Sequence, residues 1–457
     1  MPLATHGNVL EMIGNTPLMA VRRMDTGPCE LFLKLENQNP GGSIKDRVGL
    51  YLIQAAERAG SVRPGGTLIE ATAGNTGLGL ALVAAQKGYR LLLVIPDKMS
   101  QEKIFHLRAM GAEVVMTRSD VSKGHPEYYR DVAERLAREL PDSHFVNQFG
   151  NPANARAHEE TTAPEIWQQL QQRLDTVVCG AGTGGTIAGL THYFARVAPQ
   201  VDMVLADPVG SGLASFATTG ALPPKMTPWL VEGIGGDTVP PVADFSRVTA
   251  AYSIADAEAF RTCRELLARE GIIAGTSTGT LLAAALRYCR EQRQPKRVVS
   301  FVCDSGNKYL SKVYNDFWML DQGFLEREHR GDLRDLIARP HSEHAAVTVN
   351  ATEPVMAAYR RMKLYDVSQL PVMQDGRIVG IVDEEDILLE VVANPKHFNE
   401  PVTAAMSSHL VTVPVDAPVS QLMEIFKRGM VAIVMHGHEF QGLITRIDLL
   451  NWLRRRL

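Results

Sequence analysis

Up to about residue 320 the chain alternates short aliphatic runs with longer segments whose apolar residues recur every three or four positions. The runs "TLIEA" (67–71), "RLLLVIP" (90–96), "AEVVMT" (112–117), "DTVVCG" (175–180), "DMVLAD" (202–207) and "RVVSFVC" (297–303) have strand length. Strands apolar on both faces belong in parallel sheets covered by helices on either side. After the glycine turn of "NPGGSIKDR", the residues Val48, Leu52, Ala55 and Ala59 mark one stripe of a helix that stops at Gly60. This alternation predicts an α/β core of doubly wound, mainly parallel sheets, in which ligands bind where loops leave the strand ends.

The pattern changes near residue 324. "FLEREHRGDLRDLIARPHSEH" is charged, nearly strandless and broken by Pro340, and reads as a connector with some helix. Beyond it the chain repeats itself. "AVTVNATEPVMAAYRRM" aligns with "LVTVPVDAPVSQLMEIF", Val347 on Val411 and Pro354 on Pro418, and each copy later ends in "GIVDEEDIL" or "GLITRIDLL". Each unit predicts strand, helix, strand, strand, helix, and two copies together bury faces that one alone exposes. The expected organisation is a core at 1–323, a linker at 324–343 and a smaller α/β module at 344–457, with repeats at about 344–400 and 401–457.

Composition narrows the function classes. Of 457 residues 45% are hydrophobic and 21% charged, and the net charge of −4 offers no basic field for nucleic acid or an anionic membrane. The longest apolar runs fall far short of a bilayer span, and "MPLATHGNVLEMIGNTPL" lacks the basic and apolar regions of a secretory signal. Five scattered cysteines without a C-x-x-C pair suit a reduced, cytoplasmic setting. The histidine groupings "HSEH" and "HGH" lack partners at ligand spacing, so no metal is expected.

Four glycine-rich junctions carry candidate chemistry. "GAGTGGTIAG" (180–189) follows a strand and opens a helix, so its backbone N–H groups make a phosphate cradle. It also satisfies G-x-G-x-x-G through Gly180, Gly182 and Gly185, and Asp207 ends the next strand where a ribose-binding acid belongs, which keeps a dinucleotide site open. Asn75 in "EATAGNTGLGLALVAAQKG" and Ser277 in "GIIAGTSTGTLLAAALRYC" each read singly as helix caps. Neither sits in a nucleophile-elbow pattern with aspartate and histidine partners. Lys45, in "NPGGSIKDR", stands at a helix start, where its charge opposes the helix dipole. Together they match one ligand, pyridoxal 5′-phosphate (PLP). Its aldehyde takes a lysine amine, its phosphate takes backbone donors, and its ring oxygen and nitrogen each take a hydrogen bond. Gly41 and Gly42 then read as room for a flat cofactor, and Asp46 and Arg47 as helix-start electrostatics and local pairing.

Seven ordered motifs carry a resemblance over residues 7–320: "IGNTPL", "KLENQNPGGSIKDR", "TAGNTGLGLA", "NQFGNPANARAH", "GAGTGGTIAG", "VEGIGGD" and "DSGNKYLSK". The chain resembles the fold-type II PLP enzymes of the cysteine synthase/cystathionine β-synthase family. The resemblance implies that Lys45 forms the Schiff base and shuttles the Cα proton, that Asn75 bonds the ring 3′-oxygen, and that Ser277 meets the ring nitrogen. It places the phosphate at Gly182, Thr183, Gly184, Gly185 and Thr186. Thr72, Ala73, Thr76 and Gln148 match positions that take the substrate α-carboxylate, and Glu232 and Gly235 match the substrate loop. A neutral hydroxyl at the ring nitrogen makes a milder electron sink, which suits β-replacement.

The implied reaction condenses L-serine with L-homocysteine, with hydrogen sulfide release from cysteine as a side activity. Cysteine synthesis from O-acetylserine and sulfide is the alternative enzyme, and a catalytically silent ligand sensor the alternative of another class. Two departures stand in the substrate region: Ala73 replaces a serine common among relatives, and Gly236 a tyrosine of the animal enzymes. The haem-binding extension of the animal enzymes has no counterpart, so no haem is expected. The repeat at 344–457 resembles a pair of CBS domains, a Bateman module. That implies a regulatory adenosyl site at Gln369, Thr445 and Asp448 for S-adenosylmethionine or an adenine nucleotide. Asp383 occupies the first copy's threonine position. The family also implies amino-acid substrates and a homodimer or higher homo-oligomer.

Overall fold

The six aliphatic runs become strands of two sheets, five of them inner and one an edge, in a computed structural model that describes residues 5–72, 74–97, 101–121 and 124–454. The chain divides into two units, Met1–Tyr314 and Asn315–Leu457. In the first, one sheet runs Leu18–Ala20, Glu30–Lys34, Arg297–Phe301, Thr176–Gly180, Asp202–Pro208, Val248–Ile254 in spatial order, parallel except for its first pair. The other runs Glu113–Thr117, Arg90–Pro96, Thr67–Ala71, Ser143–Phe145 and is parallel throughout. Four of these strands carry no sequence run. Leu18–Ala20 and Ser143–Phe145 have three residues each, Val248–Ile254 is a half-buried edge, and Glu30–Lys34 begins and ends on charged residues.

The helix Lys45–Arg58 forms as expected and the chain turns away at Gly60, whose φ is +65°. Its buried face is wider than the expected stripe: Val48, Leu52, Ile53 and Ala56 are buried, whereas Ala59 is exposed. The width comes from its neighbour. Helix Asn75–Lys87 packs backbone to backbone against it, so that a Cβ on Gly49 would lie 2.5 Å from the Gly79 carbonyl carbon and one on Gly79 would strike the Lys45 carbonyl. This crossing fixes where the helix start bearing Lys45 lies. Around it Leu78, Leu80, Val83, Leu93 and Leu107 close one core.

In the second unit each repeat forms a three-stranded sheet with the predicted helices. Val349–Asn350, Gln369–Gln374 and Arg377–Asp383 make the first sheet; Thr412–Pro414, Ala432–His436 and Glu439–Ile444 make the second. Both sheets bulge at the equivalent step, Val372/Met373 and Val434/Met435. The stretch expected as a linker contributes Leu333, Leu336 and Ile337 to the core of the second repeat, beside Leu422 and Ile444. Gly442 makes room for it, since a Cβ there would meet the Ile337 side chain at 2.5 Å.

Candidate functional site

Among the described residues of the first unit, three helices start on a glycine and receive no side-chain cap. Asn75–Lys87 follows Gly74, Gly185–Val197 follows Gly184, and Thr276–Glu291 follows Gly275. The first-turn N–H groups of such helices lack intrahelical acceptors and present partial positive charge. The capping roles that Asn75 and Ser277 suggest in isolation are therefore not the ones they take. Each lies inside its helix, and a glycine holds the cap.

Lys45 opens the fourth helix, its N–H donating to Ser43 Oγ at 3.2 Å. The side chain is half-buried, and among the described residues its Nζ has no hydrogen-bond acceptor. Desolvation pulls the amine below the usual lysine range, against the opposing pull of Cys303 and Asp304 nearby. Strand Arg297–Phe301 delivers these two residues, and the Ile44 N–H donates to the Cys303 carbonyl at 2.9 Å. From the same residue the Cys303 N–H donates to Thr278 Oγ1 at 3.0 Å, and the thiol meets the buried Ser277 hydroxyl. One strand end thus ties the lysine and serine loops together. Asn75 joins them by donating to Asp304 Oδ2 at 2.8 Å.

The glycines of the 180–189 loop are required by close approach. Gly184 has φ +84° and faces Ala243, Gly182 faces the Gly233 carbonyl, and Gly185 faces the Asn154 amide. Asn154 Nδ2 donates to Thr183 Oγ1 at 2.9 Å, and Thr186 Oγ1 lies 3.3 Å from His158 Nε2. Burial holds His158 well below its ordinary value, so the ring is neutral. The Gly41–Gly42 turn has a steric reason beside the one expected. A Cβ on Gly41 would lie 2.6 Å from the Asp46 carboxylate, which takes the Gly41 N–H, and Gly42 has φ +77°. Asp46, pushed up to about 7 by burial, shapes the turn before Lys45. Arg47 pairs well beyond the helix start, with Glu36 and Glu165.

Thr72, Thr76 and Gln148 gather at the end of strand Thr67–Ala71. Thr76 Oγ1 donates to Gln148 Oε1 at 2.6 Å, Gln148 Nε2 to the Ala71 carbonyl at 3.3 Å, and Thr72 Oγ1 accepts the Gly74 N–H at 3.3 Å. Ala73 lies outside the described residues. Beneath them sits buried Glu70, pushed up to about 7 by desolvation, accepting the Ala71 and Gln148 N–H groups at 2.9 Å each. Glu232 pairs with Lys103 and, at 2.8 Å, with Lys312. Burial raises its carboxyl, but the two ammonium groups outweigh burial and hold it below the usual range. Gly235, at φ +87°, donates to the Ala181 carbonyl at 2.8 Å, beside the phosphate-type loop. Asp207 stands apart, capping helix Leu213–Thr219 through the Ala214 N–H at 2.8 Å, so its carboxylate is not presented to a ribose. Glu70, Lys103, Cys303, Asp304 and Lys308 are the polar residues that motif reasoning passed over, although the last two lie inside "DSGNKYLSK".

In the second unit Gln369, Thr445 and Asp448 line one cavity of about 1060 Å³. Thr445 donates to Asp448 Oδ2 through both N–H (2.7 Å) and Oγ1 (2.6 Å). Asp383, the first copy's counterpart of Thr445, forms a reciprocal cap with Asp386 at 2.8 and 3.0 Å.

Comparison with known proteins gives two family matches: pyridoxal-phosphate dependent enzyme over residues 9–304, and CBS domain over 334–393 and 402–455. The cystathionine beta-synthase of Dictyostelium discoideum is 34% identical over 98% of this chain and 92% of its own length. Cysteine synthase 1 of Neurospora crassa is 40% identical, but over 68% of this chain and 84% of its own length. The solved O-acetylserine dependent cystathionine beta-synthase from Helicobacter pylori is 34% identical, with a TM-score of 0.63, over 68% of this chain and all of its own. The residues present fit the cofactor these matches name. A desolvated amine without an acceptor, uncapped donors around a glycine cradle, and amide and hydroxyl side chains tied to one strand end suit an aldehyde, a phosphate and a ring.

Proposed function

The chain belongs to the pyridoxal-phosphate dependent enzymes, and on that premise we propose that it condenses L-serine with L-homocysteine to L-cystathionine and water. The observation that carries this reading is coverage: a cystathionine beta-synthase matches both catalytic and CBS regions, whereas the cysteine synthase match stops at the catalytic part. When bound, PLP supplies an aldehyde that captures amines and a ring that takes up electrons from Cα. In this reading Lys45 would hold the aldehyde when PLP is bound, and its Nζ would accept the substrate Cα proton and return it. Its desolvated environment supports that work, because a lowered pKa keeps more of the amine neutral at working pH. Gly182, Thr183, Gly184, Gly185 and Thr186 hold the phosphate, Asn75 the ring oxygen and Ser277 the ring nitrogen. Thr72, Thr76 and Gln148 orient the substrate carboxylate, and Glu232 and Gly235 border the acceptor.

Cysteine synthesis from O-acetylserine and sulfide is the second reading, favoured by the higher identity to cysteine synthase 1 over the catalytic region. Purified chain saturated with PLP is assayed with serine plus homocysteine and with O-acetylserine plus sulfide. Preference for the first pair supports the proposal, and preference for the second overturns it. Hydrogen sulfide release is the side activity expected when cysteine replaces serine. For Gln369, Thr445 and Asp448 we infer a regulatory adenosyl ligand, and for the whole chain a cytoplasmic homodimer or higher homo-oligomer. Among the described residues no helix is long and apolar enough to cross a membrane.

A further inference from the structure

Lys308 has no part in the reading above, yet it touches one of that reading's central residues. Its Nζ donates to Asn75 Oδ1 at 2.8 Å and lies 3.4 and 3.5 Å from the Gly41 and Gly42 carbonyls. Opposite, Asn75 Nδ2 donates to Asp304 Oδ2 at 2.8 Å, and that oxygen also accepts the Tyr309 hydroxyl at 2.8 Å. Asp304 is fully buried and Tyr309 nearly so, so this half of the clamp cannot turn away. Lys308 is half-buried and lines a cavity of about 290 Å³ with Gly41, Gly42, Lys103 and His106.

A primary amide has one acceptor oxygen and two N–H donors, an ammonium only donates, and an ionised carboxylate only accepts. Held between Lys308 and Asp304, the Asn75 amide has one allowed orientation. Reversing it would set NH₂ against NH₃⁺ and oxygen against carboxylate. In the allowed orientation one amide hydrogen goes to Asp304 and the other is left over. Hydrogen bonds in series polarise one another, and an ammonium on the amide oxygen strengthens donation from the amide nitrogen.

We propose that Lys308 is a positioning residue for the cofactor, holding Asn75 Oδ1 so that the second amide hydrogen meets the ring oxygen and stabilises negative charge there. The inference rests on the reading that Asn75 bonds the ring oxygen. A lysine that only braces the Gly41–Gly42 turn would leave the cofactor's electronic state untouched, and the two roles separate spectroscopically.

The test uses full-length protein reconstituted with PLP and no substrate, at one fixed pH, in the wild type and in Lys308→Met, Lys308→Gln and Lys308→Arg. PLP affinity is measured by fluorescence titration, and the visible spectrum gives the ratio of long- to short-wavelength bands. The Met and Gln variants are expected to bind PLP roughly tenfold more weakly and to lose long-wavelength absorbance, while Arg stays close to wild type. Urea unfolding midpoints accompany each variant, and should Met fail to fold, Gln and Arg decide. Wild-type spectra and affinities in the neutral variants overturn the inference alone. A wild-type chain with no visible band overturns the cofactor reading and this inference with it.

Discussion

Replacing Arg47 by methionine tests whether the catalytic unit depends on a buried charge cluster or on packing alone. The guanidinium is almost fully buried; Nε and Nη2 donate to Glu36 at 2.8 Å each, and Nη1 and Nη2 to Glu165 at 2.6 and 2.7 Å. Lys34, also buried, donates to Glu165 at 2.7 Å. Two cations and two carboxylates therefore balance. Arg47→Met keeps most of the volume but leaves Glu36, at 0% exposure, without its direct cation. Breaking a buried pair from one side costs roughly 3–5 kcal/mol, a large part of a stability of about 5–15 kcal/mol. Urea unfolding of the full chain, followed in the transition of the catalytic unit, should show that loss. Adding Glu36→Gln should recover part of it, because the uncompensated charge then disappears.

The pH dependence has a definite sign. Burial raises the Glu36 carboxyl, but Arg47 outweighs burial and holds it below 4.5, so the pair contributes stability above the unfolded pKa and loses it as pH falls. The deficit of Arg47→Met should therefore shrink as pH falls, because without the guanidinium burial raises the Glu36 carboxyl and lets it become neutral. A loss under about 1 kcal/mol, or a deficit that ignores pH, refutes the reasoning.

Gly79→Ala should push the Lys45 helix start away and cost roughly 1–3 kcal/mol, with weaker PLP binding by titration. Glu70 carries a folded pKa of about 7 above its ordinary 4.5, so its contribution is present at low pH and lost as pH rises through 7. Glu70→Gln should remove about 3 kcal/mol at most from the decline in unfolding free energy between pH 5 and 8, read from urea melts. Asp448→Ala should abolish heat on titration with whichever of S-adenosylmethionine or an adenine nucleotide binds the wild type, since it removes the carboxylate that Thr445 now engages. Retained binding would exclude that cavity edge.

The inner strands were legible because both-face burial produces unbroken aliphatic runs, and "TLIEA" and "RLLLVIP" match their strands residue for residue. The edge strand Glu113–Thr117 still shows a run, but the three-residue Ser143–Phe145 and the half-buried edge Val248–Ile254 do not, and there the pattern is silent. The tandem module was legible by repetition, which needs no propensity argument. Its approach segment showed no such signal, because charge dominates 324–343, while Leu333, Leu336 and Ile337 enter the core. Three apolar side chains in a charged stretch are enough to dock it.

At the candidate site the sequence offered residue types but not their reasons. Gly41 and Gly42 looked like space for a ligand, and Gly41 is also small because Asp46 folds back onto its N–H. Asn75 and Ser277 looked like caps, and a cap is what each would be if it stood one or two residues earlier. Placing glycine at Gly74 and Gly275 instead leaves the helix donors open and turns both polar side chains toward Cys303 and Asp304. With glycine at the cap, the helix stability forgone is a few tenths of a kcal/mol at each start, roughly 0.3 kcal/mol. Three helix starts without a side-chain cap, two of them bearing the polar residues directed at Cys303 and Asp304, keep their backbone donors open for an external acceptor such as a phosphate.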